Sequence, residues 1–166
     1  MLDLGSTGDP ELDSRRPFDE PYRIPHSTIQ AIRNTQSLGG RIIAIGTTVA
    51  RALEHAAGID GFIRAGEGLA TQRIGETTTL RVIDAILSGI RQPGTSHYDL
   101  LRAFIDAATL QHLDSELASH DYRTHEFGDS VFIEKQVEDD DVMMRSRLVK
   151  SPDIGLSVAG CRLLPL

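Results

Sequence analysis

The chain has 166 residues, of which 40% are hydrophobic and 25% charged, an ordinary globular composition. That length suits one domain with a hydrophobic core, or part of a larger protein. The net charge of −7 argues against a general nucleic-acid binder, because phosphate neutralisation dominates such affinities. Fifteen of the 17 basic residues are arginine, however, and arginine is well suited to bidentate phosphate contacts. Both a local basic face and scattered solvent-facing arginines fit this composition.

Membrane, secreted and metal-binding classes are not indicated. No apolar run approaches the roughly 18 residues of a membrane helix, and the N-terminus lacks the basic-then-apolar pattern of a signal peptide. The single cysteine, Cys161, forms neither an internal disulfide framework nor a cysteine-based zinc site. The histidines lack metal-ligand spacing, so no metal is expected. The sequence predicts a cytoplasmic protein.

The first predicted elements are a helix and a strand. Residues 1–25 are rich in Gly, Pro, Asp and Ser, which predicts an irregular lead-in. A helix follows from His26 with Ser27 as its N-cap, and the glycine pair at 39–40 ends it. The continuous apolar run at 42–45 predicts a strand that is covered on both faces.

A Gly-Thr-Thr corner joins this strand to the next helix. Gly46 permits a tight turn, Thr47 or Thr48 can cap the helix, and the helix extends to about Gly58. The free amides and hydroxyls at its start can hold an anionic or polar ligand group. Arg51, one turn further on, can pair with a carboxylate or an RNA phosphate. A purely structural cap and a solvated Arg51 are the alternatives.

The middle of the chain predicts two more strands and two helices. A short strand is expected at 61–63, followed by a turn-rich loop at 65–68. A second strand starts within 79–87 and places Asp84 near its end, where α/β sheets collect ligand groups. Thr95 and Ser96 can cap a helix, and a further helix covers about 109–119.

The rest of the chain predicts strands and an acidic tail. Residues 122–127 and 131–133 suggest strands that flank a Gly128-Asp129 turn. Residues 135–166 include an acidic run and predict a solvated or disordered tail. The order of helices and strands predicts an α/β fold with a mostly parallel sheet and flanking helices.

Three segments in the same order carry a family resemblance. The sequences GTTV at 46–49 and RALE at 51–54 resemble the GTTVVRALE segment of the S-adenosylmethionine:tRNA ribosyltransferase-isomerase family, which acts in queuosine synthesis. The segment from Pro93 to Phe104 is similar to the family's P-x-S-T-L-L-M-L-V-x-A-F. Tyr122-Arg123 and Gly128-Asp129 are similar to its Y-R-F-F-S-Y-G-D-A.

The resemblance covers only the C-terminal part of the family sequence. It implies a partial α/β domain at 26–134, between the lead-in at 1–25 and the tail, without the β-barrel that is inserted in the family's fold. It also implies that a separately encoded N-terminal half can be a partner of this chain.

The family reaction moves and isomerises the ribosyl group of S-adenosylmethionine onto 7-aminomethyl-7-deazaguanine in tRNA, which gives epoxyqueuosine. The sulfonium supplies the activation, so no cofactor is expected and S-adenosylmethionine is the co-substrate. Proton transfer needs histidines or carboxylates. The candidates for this role are His97, Asp84 and Asp129. The candidates for substrate binding are Gly46, Thr47, Thr48, Arg51, Arg123 and His125.

Each candidate also has a purely structural interpretation. His97 can make a capping hydrogen bond, and Asp84 and Asp129 can stabilise turns. The family segment N-F-H-L-P has a histidine where this chain has Arg91. This difference leaves open a related enzyme with another acceptor. The other hypothesis is a non-catalytic fragment or binding subunit that needs an N-terminal half.

Overall fold

Strands and helices alternate along most of the described chain. The computed structural model describes residues 17–89, 91, 93–120, 122 and 130–136, and the backbone of 161–163. The strands are β1 (Glu20–Ile24), β2 (Ile43–Ile45), β3 (Gly66–Ala70), β4 (Ala85–Gly89), β5 (Ser130–Glu134) and β6 (Cys161–Leu163). The helices are α1 (His26–Ser37), α2 (Thr47–Ala57), α3 (Ser96–Leu101) and α4 (Ala107–Ser119).

The larger sheet has the order β2-β4-β5-β6. Strand β2 is parallel to β4, with Ile43 opposite Ala85, whereas β5 is antiparallel to both β4 and β6. The α/β class is confirmed, but the expected mostly parallel sheet is wrong, because the sheet is mixed. Two successive helices, α3 and α4, separate β4 from β5. With two helices in the connection, the chain comes back to the end of the sheet at which β4 finished. Strand β5 starts there and therefore runs antiparallel to β4.

A separate two-stranded ribbon packs beside helix α2. Strands β1 and β3 are antiparallel, with Tyr22 opposite Gly68. The irregular lead-in predicted for 1–25 is therefore wrong for Glu20–Ile24. Pro21 is compatible with a strand here because proline is tolerated in edge strands, and β1 pairs only with β3 among the described residues.

The predicted strand at 61–63 and loop at 65–68 are also wrong, because the strand starts at Gly66. A side chain at Gly68 would collide with the Tyr22 ring, which lies across this glycine. The absence of a side chain at 68 therefore lets a glycine-rich segment pair as a strand.

The helices lie close to their predicted positions. Helix α1 begins at His26, two residues before the start that a Ser27 N-cap implies. Pro25 is its N-cap and makes no side-chain cap hydrogen bond, so the Ser27 cap is wrong. The Thr95 hydroxyl accepts from Tyr98 N at 3.2 Å and caps α3. Asp106 accepts from Thr109 N at 2.8 Å, and this cap starts α4 two residues before the predicted position.

Strand β2 is at an edge of the sheet, and part of its apolar surface is exposed. Ile43 and Ile45 are 46% and 69% exposed, whereas Ala44 between them is fully buried. The expectation of a strand covered on both faces is therefore wrong. Its unbroken apolar sequence cannot distinguish a strand packed on both faces from one whose outer face is bare.

Strand β6 lies within the predicted tail. Cys161 pairs with Ile133 of β5, so Cys161–Leu163 extends the mixed sheet. The acidic run at 138–141 lies outside the described residues. Over the described ranges, no helix combines the length and apolar character needed to cross a bilayer.

A buried carboxylate determines the path of the chain before β4. Glu54 on α2 accepts hydrogen bonds from the amides of Arg81, Val82 and Ile83 at 2.9, 2.9 and 3.0 Å. Its side chain is almost fully buried, so these amides replace the water that a carboxylate would otherwise bind. Residues 81–83, which the sequence predicts as strand, are thereby kept out of the sheet, and β4 starts only at Ala85.

Glu54→Gln is expected to lower the free energy of unfolding by about 1.5–3 kcal/mol, because one backbone amide then faces an NH2 group instead of a carboxylate oxygen. Urea unfolding measures the change. The matched control is Glu67→Gln on β3, whose side chain is 75% exposed, and its expected effect is within about 0.5 kcal/mol. Equal effects of the two substitutions would contradict the anchoring role of Glu54.

Candidate functional site

The site lies at the carboxyl ends of the two parallel strands. Gly46, which follows β2, has φ 88° and donates its amide to Leu87 O of β4 at 2.9 Å. This left-handed conformation favours glycine, and it lets α2 start at once after the strand. Gly46 is itself the N-cap, and no side chain caps the helix. The expectation of a Thr47 or Thr48 cap is therefore wrong, and the Thr47 hydroxyl makes no cap bond.

A cavity of about 80 Å³ opens beside this corner. It brings together three residues that the sequence singled out, namely Thr47, Arg51 and His97. The remaining lining residues are Pro17, Glu20, Ile74, Ser96 and Leu100.

His97 is held against the end of β4 by one ring nitrogen. Its Nε2 lies 2.7 Å from Gly89 O and 3.1 Å from Ser88 Oγ. A carbonyl oxygen only accepts hydrogen bonds, so Nε2 carries the proton in the neutral ring. The lone pair then resides on Nδ1. His97 can therefore accept a proton, or a hydrogen bond from a ligand, through Nδ1.

Burial lowers the pKa of His97 below its usual value of 6.5. The hydrogen bond to Gly89 O acts in the opposite direction, and the positive charge of Arg91 lowers the pKa further. The imidazole is consequently neutral at pH 7. A neutral imidazole near neutral pH is the form that a general base requires.

The helix that carries His97 is attached to the next helix by a polar pair. Tyr98 Oη donates to Asp114 Oδ2 at 2.8 Å, between α3 and α4. Burial, with the hydrogen bond and the negative charge of Asp114, raises the pKa of Tyr98 to about 12. Burial also raises the pKa of Asp114, against the effect of the hydrogen bond from Tyr98. This attachment restricts the position of His97 relative to α4.

Arg51 is not solvated, and its terminal nitrogens are occupied. The side chain is 3% exposed. Its Nη1 contacts Phe18 O at 2.9 Å and Glu20 Oε1 at 3.0 Å, and Nη2 donates to Ala70 O at 2.8 Å. Of the expected partners of Arg51, the structure shows a carboxylate, that of Glu20 within the chain itself, and no terminal nitrogen is left without a contact for an RNA phosphate. The side chain instead joins α2 to the β1–β3 ribbon.

Asp84 lies at the other end of β4 from His97. It precedes the strand, and its Oδ2 accepts from Ile42 N at 2.8 Å. The expectation that Asp84 lies near the carboxyl end of a strand is wrong, because the preceding segment is held by Glu54 and is not part of the strand. The observed contacts of Asp84 fix the start of β2 beside β4.

The other predicted site residues are not brought into the cavity by the structure. Thr48 is exposed and does not line it. Arg123, His125 and Asp129 lie outside the described residues. Among the described residues, no group of three or more His, Cys, Asp or Glu could hold a metal ion.

Sequence reasoning missed Glu20 and Ser96 as lining residues. Glu20 fell within the predicted irregular lead-in. The alternation of Glu20, Tyr22 and Ile24 indicated a strand, but the neighbouring prolines favoured a loop. Ser96 was interpreted only as a helix cap. No local pattern links either residue to a cavity formed with α2.

The described residues form an α/β fold with a cavity at the carboxyl ends of two parallel strands, the place where open α/β sheets commonly bind ligands. The family model described as "Queuosine biosynthesis protein" matches residues 7–133. The chain belongs to this family, and the resemblance stated from the sequence is confirmed.

Curated relatives agree with this assignment. The chain is 40% identical over 123 residues to the S-adenosylmethionine:tRNA ribosyltransferase-isomerase of Citrifermentans bemidjiense. Identity is 42% over 117 residues to that of Chlorobium luteolum and 37% over 122 residues to that of Geobacter sulfurreducens. These matches cover 74%, 69% and 74% of this chain, but 36%, 34% and 36% of the relatives. The chain thus spans about a third of their length.

A solved structure is similar as well. The crystal structure of S-adenosylmethionine tRNA ribosyltransferase from Thermotoga maritima matches with a TM-score of 0.61 and 26% identity. The match covers 68% of this chain and 39% of that chain. The described architecture is therefore part of a larger fold in that protein.

The lowered pKa of His97 predicts a pH-dependent stability. The unfolded chain binds a proton at this histidine near pH 6.5, whereas the folded chain binds it only at lower pH. The free energy of unfolding should therefore fall as the pH drops below 6.5, until the folded pKa is passed. His97→Gln is expected to remove this part of the pH dependence, as measured by urea unfolding over about pH 5 to 7.5.

The control for this experiment is His112→Gln, which changes an exposed histidine on α4 and should leave that contribution in place. Identical pH slopes for the unaltered chain and His97→Gln would contradict the lowered pKa.

Proposed function

We propose that this chain contributes to the reaction for which its relatives are named, the transfer of the ribosyl group of S-adenosylmethionine to tRNA in queuosine biosynthesis. The more specific form of this proposal is that the ribosyl group is transferred and isomerised onto 7-aminomethyl-7-deazaguanine in tRNA. The product is epoxyqueuosine, and adenine and methionine leave. The reaction needs no metal or organic cofactor, because the sulfonium of S-adenosylmethionine activates the ribosyl carbon. A tRNA substrate fits a cytoplasmic protein.

The observation that carries the proposal is a neutral histidine at a cavity with polar side chains, in a chain from this family. His97 has an unprotonated Nδ1 and lines the same cavity as Thr47 and Arg51. The reaction requires a base that removes a proton from the amine or from a ribose carbon, and an acid that protonates the leaving adenine. A single imidazole can take the first proton and return it in the second step, so His97 is assigned both roles.

The decisive experiment incubates the chain with S-adenosylmethionine and with tRNA that carries the aminomethyl-deazaguanine. We expect binding of S-adenosylmethionine by calorimetry. We expect little or no adenine release by chromatography, because the chain spans about a third of the length of its relatives. Robust adenine release would contradict the expected low turnover of the chain alone. A failure to bind S-adenosylmethionine would contradict the proposed function.

The second candidate function is that of a binding subunit that needs a separate N-terminal half. The bare face of β2 favours it, because Ile43 and Ile45 expose apolar surface on an edge strand. Exposed apolar edge strands invite pairing with another chain. The missing partner would correspond to the part of the relatives that lies outside the match.

Ile45→Asp tests this second candidate. The part of the Geobacter sulfurreducens relative outside the matched region serves as the partner, and ultracentrifugation measures the association. We expect the unaltered chain to bind it, and Ile45→Asp to weaken binding at least about tenfold by placing a charge in the contact. Ile59→Asp, at a residue that is 94% exposed beyond α2, is the matched control and should bind normally. Equal binding by both variants would contradict a contact at β2.

A further inference from the structure

We infer that Glu20 is a substrate-binding residue whose carboxylate accepts hydrogen bonds from the ribose hydroxyls of the substrate. This inference rests on the proposed function and deepens it, because it names the part of the substrate that enters the cavity. Glu20 is on β1, and it lines the cavity together with His97.

The two carboxylate oxygens of Glu20 differ in their surroundings. Oε1 lies 3.0 Å from Nη1 of Arg51. Oε2 is buried and has no hydrogen-bond partner among the described residues. Buried polar atoms are nearly always hydrogen-bonded, and a buried acceptor without a donor is unfavourable. Oε2 is therefore an acceptor to which a ligand can supply the donor.

Arg51 holds this carboxylate in a fixed position. Its guanidinium is buried and also binds Phe18 O and Ala70 O, so its own orientation is fixed from both sides of the ribbon. A carboxylate that is positioned before the ligand arrives loses little conformational freedom on binding. Arg51 is accordingly a positioning residue, and Glu20 makes the contact.

The chemistry of the pair selects the kind of ligand group. An ionised carboxylate is negatively charged and only accepts hydrogen bonds. It therefore repels phosphates and carboxylates, which bring negative charge and further acceptors. The positive charge of Arg51 beside it disfavours an ammonium group. Neutral hydroxyl donors satisfy both conditions. Thr47 and Ser96 line the same cavity, and their hydroxyls can complete the hydrogen bonds of a diol.

Binding of the ribose hydroxyls at Glu20 is consistent with the role proposed for His97. The ribosyl group is the part of S-adenosylmethionine whose bonds change in the proposed reaction. A base that acts on it must lie within hydrogen-bond distance of the reacting group. Because Glu20 and His97 line one cavity, hydroxyls bound at Glu20 bring the ribose close to the His97 side chain.

The first test needs no variant. Calorimetry compares the binding of S-adenosylmethionine to the full chain with that of its 2′-deoxy and 3′-deoxy analogues. We expect at least one deoxy analogue to bind about tenfold to a hundredfold more weakly, because hydrogen bonds to charged groups contribute about 1.5–3 kcal/mol. Equal affinities for all three compounds would overturn the inference.

The second test uses Glu20→Gln, with Glu67→Gln as the matched control on the neighbouring strand β3. Glu20→Gln is expected to weaken S-adenosylmethionine binding by a similar factor and to abolish discrimination against the deoxy analogues. Glu67→Gln is expected to leave both the affinity and the discrimination unchanged. If Glu20→Gln weakens all three compounds equally and keeps the discrimination, Glu20 has only a structural role and the inference fails.

The two proposals fail in different ways. If S-adenosylmethionine binds normally but Glu20→Gln has no effect, the inference about Glu20 is wrong and the proposed function stands. If the unaltered chain binds neither S-adenosylmethionine nor its analogues, the proposed function is wrong and the inference fails with it.

Discussion

The buried guanidinium of Arg51 is the interaction on which the described site depends. It projects from α2 and binds a carbonyl of β3, a carbonyl just before β1 and the carboxylate of Glu20. A guanidinium removed from water needs such acceptors, because an unpaired buried charge is strongly destabilising. The β1–β3 ribbon is thereby held against α2, and one wall of the cavity is formed. Without this charge, Glu20 would have no fixed place at the site.

A second constraint is the short connection between β2 and α2. The positive φ of Gly46 starts the helix directly at the end of the strand, and the Gly46 amide is bound to Leu87 O at the end of β4. Helix α3 then returns to the same edge, where His97 Nε2 contacts Gly89 O. Two strand ends and two helix starts therefore converge. This convergence places Thr47 and His97 in one cavity, although fifty residues separate them in sequence.

Some local features could be predicted from the sequence, whereas distant contacts could not. The strand-to-helix corner at Gly46 and the start of α3 beside Thr95 follow from turn chemistry and helix capping. The environment of Arg51 could not be predicted in this way, because its acceptors lie on another pair of strands. Glu54 raised the same difficulty. Its carboxylate holds 81–83 out of the strand, and no periodicity shows that a residue 27 positions earlier does so.

The open side of the cavity and the exposed surface of β2 have a common physical interpretation. The cavity is partly open to solvent, and an exposed Ile45 on a strand at the edge of the described sheet leaves apolar surface in water. Both are expected of a structure that provides one side of a larger site. The relatives are about three times as long as the matched segment, so they have further chain to cover such surfaces. In the proposal made above, the residues around Glu20 and His97 form the ribose-binding side of that site.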